Sequence, residues 1–144
     1  MIRKLIISTA IAAIVATAAV PASAGGINIQ QFGYGNSAGG GQTGFRNQIG
    51  VYQNGFVNEV ISEQFGSSNV AATGQEGAGN YAHTYQSGHA NSAGVGQFGR
   101  GHNAVLMQDG NGNVAAGVQV GNGCDANVSQ TGSGNVAAFV QTCP

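Results

Sequence analysis

The sequence has no tryptophan, no lysine after Lys4, and charged residues at only 6% of the chain. From Gly25 onward Arg46 and Arg100 stand against Glu59, Glu63, Glu76, Asp109 and Asp125, a net charge of −3. No basic patch exists to neutralise a phosphate backbone, so nucleic-acid binding is excluded. Large apolar side chains are equally scarce: with aromatics at 7%, the chain has too few to build an ordinary globular core. What it has instead is Gly, Asn, Gln, Ser and Ala. That composition alone is compatible with a disordered, aggregation-prone segment, and only residue order separates that outcome from a fold.

The N-terminus reads as an address. Arg3 and Lys4 precede an apolar run from Leu5 to Val20, and Pro21 leads into Ala22-Ser23-Ala24. A charged n-region, an apolar h-region and a small-residue cleavage site define a secretory signal peptide, predicted here over residues 1–24 with cleavage after Ala24. A transmembrane anchor is the rival reading. The run is short of the ~20 residues that a bilayer core requires, and the small-residue site follows at once. Residues 25–144 are then one repeat domain.

Its order is strictly periodic. Gln recurs every eleven residues, at Gln31, Gln42, Gln53, Gln64, Gln75, Gln86, Gln97, Gln108, Gln119, Gln130 and Gln141. Two places later stands Gly: Gly33, Gly44, Gly55, Gly66, Gly77, Gly88, Gly99, Gly110, Gly121 and Gly132, with Cys143 in the last unit. Five places after the Gln stands Asn, at Asn36, Asn47, Asn58, Asn69, Asn80, Asn91, Asn113 and Asn135, with His102 and Cys124 as departures. Seven places after it comes a small or branched apolar residue, such as Ala38, Ile49 or Val60. A fixed period of this kind signals a stacked repeat architecture.

An eleven-residue period also suits a right-handed helical coiled coil. Residue type rejects that reading, because a Gly in every unit costs a helix about 1 kcal/mol relative to Ala, and Gly-x-x-Asn is turn chemistry. Between turns, places five, seven, nine and eleven share one parity, which in a strand means one face. The inward set is therefore Asn, Ala, a mixed residue and Gln. The outward set includes the five acids with Tyr52, Tyr81 and Tyr85. Each unit gives one strand of about seven residues and a tight turn at the Gly. Two units make a rung of twenty-two residues, and Ile27 to Gln31 supply a first strand, for eleven in all. The predicted fold is an all-β solenoid of two stacked sheets, with Gln and Asn ladders satisfying amides that could not be buried singly.

The unit Gln-x-Gly-x-Gly-Asn-x-Ala-x-x-x-Gln is complete at Gln31 to Gln42, and again from Gln75, Gln108 and Gln130. It closely resembles the curlin repeat of bacterial curli fibre subunits, over the whole of residues 25–144. The resemblance implies a secreted functional amyloid that self-assembles at the cell surface into cross-β fibres of biofilm matrix, serving adhesion. It also implies a major or nucleating partner subunit and a dedicated outer-membrane secretion system. Open end rungs would grow by edge pairing. Scattered Asp and Glu would slow premature assembly where like charges stack.

Cys124 and Cys143 are the only cysteines. In an oxidising compartment they are free to pair, and a two-strand rung places both on one side, so a disulfide closing about twenty residues is expected to add on the order of 3 kcal/mol. No catalytic, cofactor or metal constellation is evident. His83 falls on an outward place, and His89 and His102 fall in turns on opposite sides, so all three read as surface histidines. Asp occurs only twice, which excludes calcium-binding solenoid repeats. Gly39-Gly40-Gly41 lacks the Lys and helix of a phosphate loop and reads as turn and weak strand. The alternative function is a monomeric secreted solenoid that binds a surface or glycan. Such a binder would repeat one outward residue type, whereas here the inward places repeat.

Overall fold

The computed structural model describes residues 25–144, so the expected signal peptide and its cleavage site lie outside the described residues. Among the described residues strands follow one another without helix: β1 (Ile27–Tyr34), β2 (Ser37–Phe45), β3 (Gln48–Phe56), β4 (Glu59–Ser67), β5 (Val70–Ala78), β6 (Tyr81–His89), β7 (Ser92–Arg100), β8 (Asn103–Asn111), β9 (Val114–Asn122), β10 (Asp125–Ser133) and β11 (Val136–Cys143). Odd-numbered strands form a six-stranded sheet in the order β1-β3-β5-β7-β9-β11, and even-numbered strands a five-stranded sheet from β2 to β10. Every pair is parallel and joins residues twenty-two apart, as Ile27 to Ile49, Gln53 to Gln75 and Gln86 to Gln108. The protein is an all-β solenoid with a two-strand rung, the architecture that the period implies.

Strand length differs from expectation. Strands run nine residues, or eight at the two ends, rather than about seven. Pairing does not stop at Gln, because identical rungs keep Gly33 opposite Gly55 and Tyr34 opposite Phe56 in the same ladder. The repeated Gly is consequently the penultimate residue of its strand, not part of the connection. Likewise Gly39, Gly40 and Gly41 lie inside β2. Their weak intrinsic preference for a strand is outweighed by the neighbour beneath, since each pairs with β4.

The two sheets meet over a thin core drawn from places seven and nine: Ile49, Val51, Val60, Ala71, Ala82, Ala93, Val95, Ala104, Leu106 and Ala115. Place seven is Ala in most rungs, while place nine supplies the larger Val51, Val95 and Leu106. Outward residues stay in solvent, including Phe32, Phe65 and Val140. Each acid has neutral cross-strand partners: Glu59 lies between Ser37 and Tyr81, Glu63 between Gly41 and Tyr85, Glu76 between Asn54 and Phe98, Asp109 between Ser87 and Thr131, and Asp125 beside Asn103. The like-charge stacking expected from sequence is therefore absent among the described cross-strand pairs.

Candidate functional site

The repeated residues converge on two kinds of column, both parallel to the solenoid axis. In the first, the Nε2 of each Gln donates to the Oε1 of the Gln one rung ahead. One chain of bonds runs Gln31, Gln53, Gln75, Gln97, Gln119, Gln141, and the other Gln42, Gln64, Gln86, Gln108, Gln130, at 2.7–3.0 Å. From Gln53 onward the same Nε2 gives its second hydrogen to the first backbone carbonyls of the facing sheet, such as Gln86 to Val70 and Gln97 to Tyr81, at 2.8–3.1 Å. Each interior amide thus ties its rung to the next and one sheet to the other. Gln53 through Gln119 are fully buried, which is tolerable only because both amide hydrogens and the oxygen are used.

The second kind lies at the arcs. The backbone N–H of each residue at place five donates to the Oδ1 of the Asn one rung behind, as Asn58 to Asn36 and Asn91 to Asn69, at 3.0–3.1 Å. The Asn Nδ2 donates forward to the carbonyl of the repeated Gly nineteen residues on: Asn36 to Gly55, Asn47 to Gly66, Asn58 to Gly77, Asn69 to Gly88, Asn80 to Gly99, Asn91 to Gly110 and Asn113 to Gly132, at 2.8–3.1 Å. The arc N–H at place five is satisfied this way, and the arc is tied to the strand end one rung ahead.

Glycine serves two roles in each unit. The repeated Gly has φ between +105° and +134°. From Gly33 through Gly121 an added Cβ would fall inside the carbonyl oxygen of the residue stacked one rung ahead. At place four the backbone is left-handed, and Gly35, Gly79, Gly101, Gly112, Gly123 and Gly134 share that conformation with Arg46, Val57, Ser68 and Ala90. Sequence reading treats the Gly before Asn as optional and misses the backbone shape that makes it favourable.

The departures at place five fall in one column: Asn36, Asn58, Asn80, His102, Cys124. His102 is 1% exposed, which corrects its reading as a surface residue. Its backbone N–H donates to Asn80 Oδ1 at 3.1 Å, its Nδ1 accepts from the Cys124 N–H at 3.1 Å, and its Nε2 faces the Phe98 carbonyl at 3.2 Å. The imidazole copies the two ends of an Asn, which assigns the proton to Nε2. Equivalence of position is the signal that places it inside. His89 is exposed with Nδ1 2.7 Å from Ser67 Oγ. His83 lies 3.8 Å from Glu63 at the surface.

Cys124 and Cys143 are joined, with Cα atoms 5.6 Å apart and a sequence separation of nineteen. Nineteen is also the separation of each Asn from the Gly carbonyl it holds. The disulfide is a covalent version of that link, placed at the last rung. Among the described residues no group of three or more His, Cys, Asp or Glu is arranged to hold a metal ion.

Beyond the columns, the outer face of the six-stranded sheet carries a shallow furrow of about 830 Å³ floored by Gly50, Ala72, Gly74, Gly94, Gly96 and Ala116. It offers few hydrogen-bonding groups. The end rungs differ from it, for among the described residues β1 and β2 at one end and β10 and β11 at the other each have a backbone edge that no strand pairs. A family model, the curlin associated repeat, matches residues 77–106. No curated protein matches the chain.

Proposed function

Because the chain carries the curlin associated repeat at residues 77–106, which supports a curlin-family assignment, we propose that it is a structural subunit of extracellular curli-type amyloid fibres that serve adhesion and biofilm matrix. Residues 1–24 direct export and are removed. The remaining body joins its own copies, a major or nucleating partner subunit, and the outer-membrane secretion system that delivers it. Its role is structural, and catalysis has no part in the reading.

One observation carries this. The twenty-two-residue ladder of backbone, Gln and Asn is repeated without a change of register from β1 to β11, and among the described residues no strand pairs with either axial edge. Most proteins cover or charge such edges. Here each edge continues the backbone ladder and the Gln columns of the internal rungs, so a further copy is the natural complement and a head-to-tail contact produces an open filament. The outward columns, by contrast, vary: Ser37, Glu59, Tyr81, Asn103 and Asp125 share one line on the five-stranded sheet. That variety does not suit a flat surface binder.

Thioflavin T fluorescence and fibre diffraction on the exported chain, followed over hours at micromolar concentration from a freshly denatured state, test the proposal. A sigmoidal rise together with a reflection near 4.8 Å is the expected result. A β-rich monomer that stays soluble and gives neither signal would sink it.

A further inference from the structure

The two ends of the solenoid are not equivalent, and, if the chain is a fibre subunit as proposed, their differences fix how one copy sits on another. The Gln columns are polar. Every Nε2 points toward the C-terminal end, so at that end Gln130 and Gln141 each use one amide hydrogen, on Val114 and Asp125 carbonyls, and keep the other. At the N-terminal end the leftover groups are oxygens, and Gln42 Oε1 is buried without a partner. Donors at one end thus face acceptors at the other.

The strand count adds a constraint. The six-stranded sheet ends at β11 and the five-stranded sheet at β10. An incoming copy can place its β1 on β11, which leaves the edge of β10 one strand short of any neighbour. Alternatively it places β1 on β10 and β2 on β11, which continues the winding and covers both edges. The second arrangement turns each copy by half a revolution about the axis relative to the one before.

Side-chain volume distinguishes the two. Phe139 occupies the inward ninth place of β11, and its ring fills the space where a Cβ on Gly117, one rung behind, would lie. A ring at this place overflows its own layer and needs glycine beside it. The ninth place is Ile29 in β1 and Gly40 in β2. With β1 on β11, Phe139 would meet Ile29. With the half turn it meets Gly40, while Ile29 stacks on Val128, Gln31 on Gln130 and Gln42 on Gln141. The unpaired Gln42 oxygen then receives the spare Gln141 hydrogen. Gly132 agrees as well: the other repeated glycines have a carbonyl of the same chain stacked ahead, whereas Gly132 has only Asn135 Nδ2 at 3.7 Å, and Gly33 of the next copy would supply the missing carbonyl.

We propose that successive copies of this chain stack head to tail with a half turn between them, β1 of the incoming copy on β10 and β2 on β11.

Outward positions report the contact by disulfide trapping, since parallel neighbours about 4.8 Å apart lie within disulfide reach. Gln30 and Ser129 are both exposed and become neighbours only with the half turn, whereas Gln30 and Val140 become neighbours only without it. Fibres of the Gln30→Cys, Ser129→Cys variant, oxidised and then dissolved in denaturant without reductant, should lose their monomer band to a ladder of multimers. Fibres of the Gln30→Cys, Val140→Cys variant should return monomer. The Phe32→Cys, Thr131→Cys pair reads the same strand contact if the first variant does not assemble. A ladder from the Val140 variant alone, or none from any variant whose fibres form, overturns the half-turn arrangement. Failure of the unmodified chain to form fibres would instead overturn the fibre reading.

Discussion

Glycine at two places in the unit shows how one residue type meets two different demands. At Gly77 a side chain is refused twice, by φ of +127° and by the Gly99 carbonyl ahead of it. At Gly101 only the backbone objects, with φ of +64° and nothing within 4 Å of an added Cβ. Arg46, Val57, Ser68 and Ala90 already tolerate that conformation. Gly77→Ala is therefore expected to destabilise the fold by about 3 kcal/mol or more, as a strained φ and a backbone clash combine. Gly101→Ala should cost about 1 kcal/mol, the left-handed penalty alone. Urea midpoints of the two variants, compared under conditions where the chain stays monomeric, check the contrast; equal losses would refute it.

Strands in this molecule are held by columns as much as by their own edges. Gln86 accepts from Gln64 at 2.7 Å and donates to Gln108 at 2.9 Å and to the Val70 carbonyl at 3.0 Å. Gln86→Leu would keep the volume roughly constant while leaving a Gln64 hydrogen and the Gln108 oxygen unpaired in the interior and removing the tie to the Val70 carbonyl of the facing sheet. At about 1–3 kcal/mol for each unsatisfied buried group, the expected loss is about 3 kcal/mol or more. Gln141→Leu at the end of the column, where Gln119 is the only side chain left without its acceptor, should cost less than half of that in the monomer. Thermal or urea unfolding of both variants decides it, and similar losses would mean that the amide ladder contributes little beyond packing.

A solenoid is quasi-one-dimensional, so each rung is stabilised by its neighbours and the end rungs are the first to open. β11 has a single neighbour, β9. The Cys124–Cys143 disulfide joins the end of β11 to the arc that precedes β10, closing a nineteen-residue separation. Reduction should remove on the order of 3 kcal/mol by the chain-entropy relation, and the loss should be local. Hydrogen exchange is expected to accelerate in β10 and β11 and to stay unchanged in β5 to β7. Uniform acceleration along the chain would show that the molecule opens as one unit and that the bridge stabilises all rungs together.

Much of this architecture is legible in the residue order. An unbroken eleven-residue period with parity-matched inward places determines strand number, rung length, parallel stacking and the identity of the Gln and Asn columns, because identical units can satisfy buried amides only by lying in register. Three features needed the tertiary structure. The strands extend through the repeated Gly because pairing with the next rung outweighs local turn preference, a balance absent from a single unit. His102 is buried because its column, not its residue type, sets its environment. The end-to-end fit, with Gln42 Oε1 lacking a donor and Phe139 over Gly117, depends on which residues lie at the terminal edges of two sheets of unequal length. Periodicity describes what every rung shares. Only the assembled fold shows how the first and last rungs differ, since those differences arise from neighbours they do not have.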